Sequence, residues 1–149
     1  MPEVTVRLII LLLIGVAVWL LLVFGRHFID VRRQRALSAT LPVSLSSITN
    51  PDDATGKARV HILAFSLPDC HQCHWMQAPA LQRVVEARRN VVSVIDLDTS
   101  SSFELAQHYQ VLTVPTTVIL DATGQAHAVN YGFANTKRLL EQVDEILAT

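Results

Sequence analysis

The chain has 149 residues, half of them hydrophobic, and a formal net charge of −1. That length holds one ordinary domain plus a modest extra segment and excludes a multidomain assembly. Five Gly, six Pro and 17% charged residues exclude collagen-like, low-complexity and disordered acidic chains, and the lack of a basic excess argues against a nucleic-acid partner.

The first element is apolar. Between Arg7 and Arg26 runs LIILLLIGVAVWLLLVFG, residues 8–25, with no charged or polar side chain. As a helix it would extend roughly 27 Å, close to the hydrocarbon thickness of a bilayer, so a transmembrane helix is expected after a short flank at 1–7. A cleaved secretory signal is the competing reading. The length of the run and the poor cleavage site at Val23-Phe24-Gly25 favour retention as a single-pass anchor in the cell membrane. One Arg precedes the run, whereas Arg26, Arg32, Arg33 and Arg35 follow it, a bias that favours the cytoplasmic side for what comes next. The same arginines would also grip anionic headgroups without deciding topology, and an outward domain stays open.

Residues 26–57 read as a basic juxtamembrane segment followed by a linker. TLPVSLSSITNPDDATGK, residues 40–57, gathers the Ser, Thr, Pro, Asp and Gly of linker composition. The domain then occupies 58–149, small but sufficient for one core. VHILAFS (60–66), VVSVIDLD (91–98) and TTVILD (116–121) are apolar at consecutive positions, as in central strands covered on both faces. AHAVNYG (126–132) alternates after the turn at Asp121-Ala122-Thr123-Gly124 and predicts a hairpin ending in an edge strand. Helical patterns fill the gaps: from about Cys70 to Arg89, with a kink expected at Pro79; at 102–110; and at 135–147. The last has Asn135 as cap and a stripe of Leu139, Leu140, Val143 and Leu147. Strand, helix, strand, helix, strand, strand, helix predicts an α/β sandwich with a mixed sheet.

The chain contains only two cysteines, Cys70 and Cys73, in SLPDCHQCHWM. A disulfide between them closes too short a loop to stabilise the fold much by constraining the unfolded chain, so the pair points to chemistry. It follows a strand and opens a helix, where unpaired N–H groups and the positive helix end favour a thiolate on Cys70. Cys73, one turn further in, is expected to be more buried and placed to attack a mixed disulfide on Cys70.

Residues 58–149 resemble the thioredoxin family. The resemblance rests on CHQC at a strand-to-helix junction, on YQVLTVPTTVILDATGQ, and on Gly132 before the terminal helix. It implies a three-layer α/β sandwich with a mixed central sheet, and a cis Val114-Pro115 peptide beside the Cys pair, with Val114 offering backbone hydrogen bonds to an extended substrate. Asp69, His71 and Gln72 depart from the family's W-C-G-P-C. His71 and Gln72 are expected to tune the pair and its substrate contacts, with Asp69 opposing the effect of His71. The family's buried acid on the preceding strand is matched by Ala64, so a proton from Cys73 would need water or a substitute such as Asp96 or Asp98. Trp75 and Met76 read as packing or a rim around the site, His74 as solvent-facing. His61, His108 and His127 lack an identifiable acid or metal partner and read as structural or surface residues.

Two rivals use the same residues. Cys70-His71-Gln72-Cys73-His74 matches C-x-x-C-H, the attachment signature of a c-type haem with His74 as axial ligand, although strands surround the motif and Met76 lies too close to serve the opposite face. A structural metal site through both Cys and a His lacks a fourth ligand. A non-catalytic thioredoxin-like interaction module is the remaining alternative. The expectation is therefore a membrane-tethered thiol:disulfide oxidoreductase with no cofactor beyond a redox-active Cys70–Cys73 disulfide. Its expected partners are protein thiols and disulfides, a separate electron donor or acceptor, and the bilayer through residues 8–25.

Overall fold

The computed structural model describes residues 2–37 and 58–149; the linker expected at 40–57 lies outside the described residues. The chain divides into two compact units, Met1–Gln34 and Arg35–Thr149. The first is built from α1 (Pro2–Leu37). Its stretch Thr5–Phe28 has a mean hydropathy of 3.1 and is long and apolar enough to cross a membrane, a property that anchors share with signal sequences. The helix runs on through the arginines because RHFIDVRRQRAL contains neither Gly nor Pro to stop it.

The second unit carries the sheet. Its elements are β1 (Val60–Ser66), a π-helical turn (Cys73–Gln77) leading into α2 (Ala78–Ala87), β2 (Val92–Asp98), α3 (Phe103–His108), β3 (Thr116–Asp121), β4 (Ala126–Tyr131) and α4 (Thr136–Leu147). The strands lie in the order β2-β1-β3-β4. β1 is parallel to β2, as a helical crossover requires, and antiparallel to β3, which forms a hairpin with β4.

Alternation along the strands divides the core. Val60, Ile62 and Ala64 of β1 join Ile119, Ala80, Leu81, Val84, Leu139 and Val143 on the α2/α4 face. Leu63 and Phe65 join Leu97, Val118, Leu120, Ala106 and Tyr109 on the α3 face. Both faces of β1 and β3 are buried, which makes their sequences apolar at nearly every position. Among the described residues β2 is the outermost strand of the sheet, and it is less buried toward Asp96. Its apolar run reflects helices above and below it and carries no information about a neighbour beside it.

α4 begins as expected. The Asn135 side chain accepts a hydrogen bond from the Arg138 amide at 2.9 Å, and Leu139 and Val143 are fully buried. Each such side chain contributes about 1.5–3 kcal/mol through burial. Arg88 grips Asp144 with two 2.7 Å bonds, Nε to Oδ1 and Nη2 to Oδ2, joining the end of α2 to α4. The pair is largely solvent-exposed and screened, so it ties the two elements together with little net gain in stability.

Candidate active site

The site forms where β1 ends. Beyond Ser66 the chain turns at Leu67-Pro68-Asp69, and the Cys70 amide donates to the Leu67 carbonyl at 3.0 Å. Cys70 and Cys73 are joined in a disulfide with their Cα atoms 5.3 Å apart. The Cys73 amide points at the Cys70 sulfur, 3.2 Å away, and also reaches the Cys70 carbonyl, to which the His74 amide donates as well. Of the N–H groups at this helix start, that of Cys73 faces the sulfur on which negative charge would develop. Cys70 is half-buried, whereas Cys73 is only 5% exposed. An incoming molecule therefore meets Cys70 first.

The kink expected at Pro79 takes the form of the π turn. In a regular helix the Pro79 ring would collide with the carbonyl four residues back and donate nothing to it. The chain widens ahead of the proline, and the Ala78 amide bonds to the Cys73 carbonyl five residues earlier. Gln77 then points inward and is 3% exposed. Its Nε2 donates to the Ala134 carbonyl at 3.2 Å and its Oε1 accepts from the Ala134 amide at 2.9 Å. The sequence reading passed over Gln77. Its signal was present: it falls on the apolar stripe of Cys73, Leu81 and Val84, where a polar side chain must find partners.

The Val114-Pro115 peptide is cis, as the resemblance implied. The Pro115 carbonyl accepts from the Gly132 amide at 2.8 Å, and Gly132 has φ +81°, a conformation that suits glycine. A cavity of about 290 Å³ brings Cys73 and Pro115 together with Ala64, His74, Gln77 and Asp96. Ala64 pairs with Asp96 across β1 and β2. Asp98 is not on this cavity. It accepts from the Ser100 hydroxyl at 2.6 Å and amide at 2.8 Å, bonds that hold its carboxyl below the ordinary carboxylate range and commit it to the loop. On the other side of Val114 a groove of about 480 Å³ is lined by Leu67, Phe103, Leu112 and Thr113 among others.

The remaining residues singled out in the sequence lie at the rim. The His71 ring stacks on Trp75 with centroids 5.6 Å apart, and Gln72 is exposed beside it. Trp75 is 72% exposed and Met76 is exposed as well, so both form surface rather than core. His74 Nε2 donates to the Pro68 carbonyl at 3.0 Å. His108 meets the Tyr109 ring edge-on, and His61 is buried within β1. His127 corrects the expectation that it had no acid partner: its Nε2 lies 2.8 Å from Asp121 Oδ2. The register shift beside Ile119/Leu120 leaves His127 in a bulge, from which it reaches back across the turn. Partial burial pushes the Asp121 carboxyl up. Bonds from the Thr123 hydroxyl, the His127 ring and the Gln125 and Thr123 amides outweigh this and hold it at about 2. Among the described residues no group of three or more His, Cys, Asp or Glu is placed to hold a metal ion.

Comparison with known proteins agrees with this geometry. The family model described as thioredoxin matches residues 48–145, more than half of the chain. Among solved structures, the thioredoxin-2 described as a component of the malaria parasite protein secretion machinery is 18% identical, with a TM-score of 0.54 over 58% of this chain and 82% of its own. Chloroplastic thioredoxin z is 24% identical, with a TM-score of 0.54 over 64% of this chain and 84% of its own. A designed protein is 26% identical, with a TM-score of 0.52 over 64% of this chain and 87% of its own. No curated protein matches in sequence. The family match, the strand order and the Cys pair at a helix start agree: this chain belongs to the thioredoxin family.

Proposed function

We propose that this protein is a membrane-tethered thiol:disulfide oxidoreductase acting on protein substrates. The carrying observation is the Cys70–Cys73 disulfide, with Cys70 reachable, Cys73 buried behind it and the Cys73 amide aimed at the Cys70 sulfur. In the reducing direction, the Cys70 thiolate attacks one sulfur of a substrate disulfide. An S–S bond forms to Cys70 and the substrate's other sulfur leaves as a thiolate. Cys73 loses its proton and attacks Cys70, closing the intramolecular disulfide and expelling the second substrate thiolate. Two electrons pass to the substrate, and an external dithiol restores the pair. The oxidising direction is the reverse sequence.

Val114 and Pro115 form the wall against which an extended substrate lies, and His71 and Gln72 adjust contacts and charge at the exposed rim. Asp96 takes the Cys73 proton, since its carboxylate and Cys73 line one cavity whereas Asp98 is committed to Ser100. The electrons travel on the sulfurs, with no cofactor. The arrangement favours exchange over haem attachment: each sulfur is bonded to the other, and His74 Nε2 is engaged by Pro68. The apolar residues 8–25 hold the domain at the bilayer, raising the local concentration of membrane-proximal substrates while limiting reach. The arginine bias supports a cytoplasmic domain, and a reporter fused at Thr149 reads the side.

The test is trapping. Cys73→Ser in the full chain leaves the mixed disulfide unresolved, so dithiol-sensitive covalent complexes should accumulate on non-reducing gels. Absence of such complexes with Cys73→Ser, or their persistence when Cys70 is also replaced by Ser, contradicts the assignment.

A further inference from the structure

The buried Gln77 amide has both its donor and its acceptor spent on one distant backbone residue, Ala134. Such a closed pair of bonds fixes two segments relative to each other in both direction and distance. On one side, Gln77 is the last residue of the π turn that begins at Cys73, and it lines the same cavity as Cys73. On the other, Ala134 lies two residues beyond Gly132, whose amide holds the Pro115 carbonyl. The β4–α4 loop is thus a buckle, fastened to the helix that carries Cys73 and to the loop that carries Pro115. Cys70 makes no bond to it and meets it only through the Cys73 amide. Its position is set by its own amide to Leu67 and by the Cys73 and His74 amides at its carbonyl, all within residues 67–74.

Resting on the exchange reading above, we infer that Gln77 is a positioning residue for the second chemical step: through Ala134 it holds the resolving sulfur of Cys73 at the distance and angle needed to attack Cys70. In that step the Cys73–Cys70 bond forms and the bond from Cys70 to the substrate sulfur breaks. The substrate sulfur leaves as a thiolate and takes a proton from solvent. A sulfur displaced by a fraction of an ångström to about 1 Å loses about tenfold to a hundredfold in such a displacement, whereas the first attack, by Cys70 on an outside disulfide, feels the buckle only through the Cys73 amide that faces the Cys70 sulfur.

The experiment uses the full chain, reduced, in detergent micelles, mixed with the aromatic disulfide 5,5′-dithiobis(2-nitrobenzoate). The first equivalent of coloured thiolate reports attack by Cys70, and the second reports resolution by Cys73. In Gln77→Met, which keeps the volume and removes both bonds, the second release should slow about tenfold while the first changes by less than about twofold. Gln77→Glu retains the acceptor for the Ala134 amide but not the donor, and should fall between. A general loosening of the fold slows both phases alike, so equal changes in the two, or an unchanged second phase in both variants, overturn the inference. If Gln77→Met does not fold, the two phases of Gln77→Glu still decide it. Wild-type protein that releases no first equivalent refutes the exchange reading itself, before Gln77 is in question.

Discussion

Replacing Leu139 by Ala tests whether α4, which follows the loop that contacts Pro115, is seated as described. Leu139 is fully buried against the α2/α4 face, in a cluster that includes Ile62, Leu81, Val84 and Val143. The substitution removes three carbons. At about 0.8 kcal/mol each they account for roughly 2.4 kcal/mol of transfer free energy, and the cavity left behind raises the total to about 3–4 kcal/mol. A domain of roughly 90 residues unfolds with an entropy near 2.1 cal/mol/K per residue, so the midpoint should fall by about 15–20 °C. The assay is calorimetry of the full chain in detergent micelles, with Lys137→Ala, at an 85% exposed side chain, as the control. The control should change stability by no more than about 0.5 kcal/mol. A loss below about 1 kcal/mol in Leu139→Ala would refute the placement of α4 over the sheet.

Three further outcomes follow from individual groups. Asp121 is held at about 2, below its ordinary 3.8, so the stability it contributes is present above about pH 4 and is lost as pH falls toward 2. His127→Ala removes one of the bonds responsible, and urea midpoints across this range should then fall less steeply; an unchanged slope contradicts the pairing. Burial pushes Tyr109 up from 10.0 to about 12, so the folded state holds that proton longer and stability is lost as pH rises between these values. Tyr109→Phe should flatten this alkaline decline, and its persistence would assign it to other groups. Asp96→Asn should slow the second thiolate release several-fold, most strongly below neutral pH where Cys73 is most in need of a proton acceptor; a rate and pH profile equal to wild type would remove Asp96 from the path.

What the sequence made legible was governed by local chemistry. The apolar stretches of β1 and β3, the Asn135 cap and the Cys pair at a helix start depend on neighbours within a few residues, and each appears where the pattern placed it. The place of β2 as the outermost of the described strands is not legible in its apolar run, because side-chain patterns report what covers the faces of a sheet, whereas neighbours along its edges are set by backbone pairing. Gln77 and Ala134 meet across 57 residues of chain, a distance no spacing rule spans; only the oddity of a polar residue on a buried stripe announced it. The Asp121–His127 pair depends on a bulge that shifts the register by one residue, which alternation along β4 does not reveal. Trp75 and Met76 carried two readings, and the widened turn before Pro79 accompanies their placement at the surface.

The central claim, that electrons pass through Cys70, is tested most directly by insulin reduction with the full chain in micelles and a dithiol as donor. Wild-type protein should accelerate precipitation of the freed insulin chain, and Cys70→Ser should fall to the rate of the dithiol alone. Retained acceleration in Cys70→Ser would contradict the account.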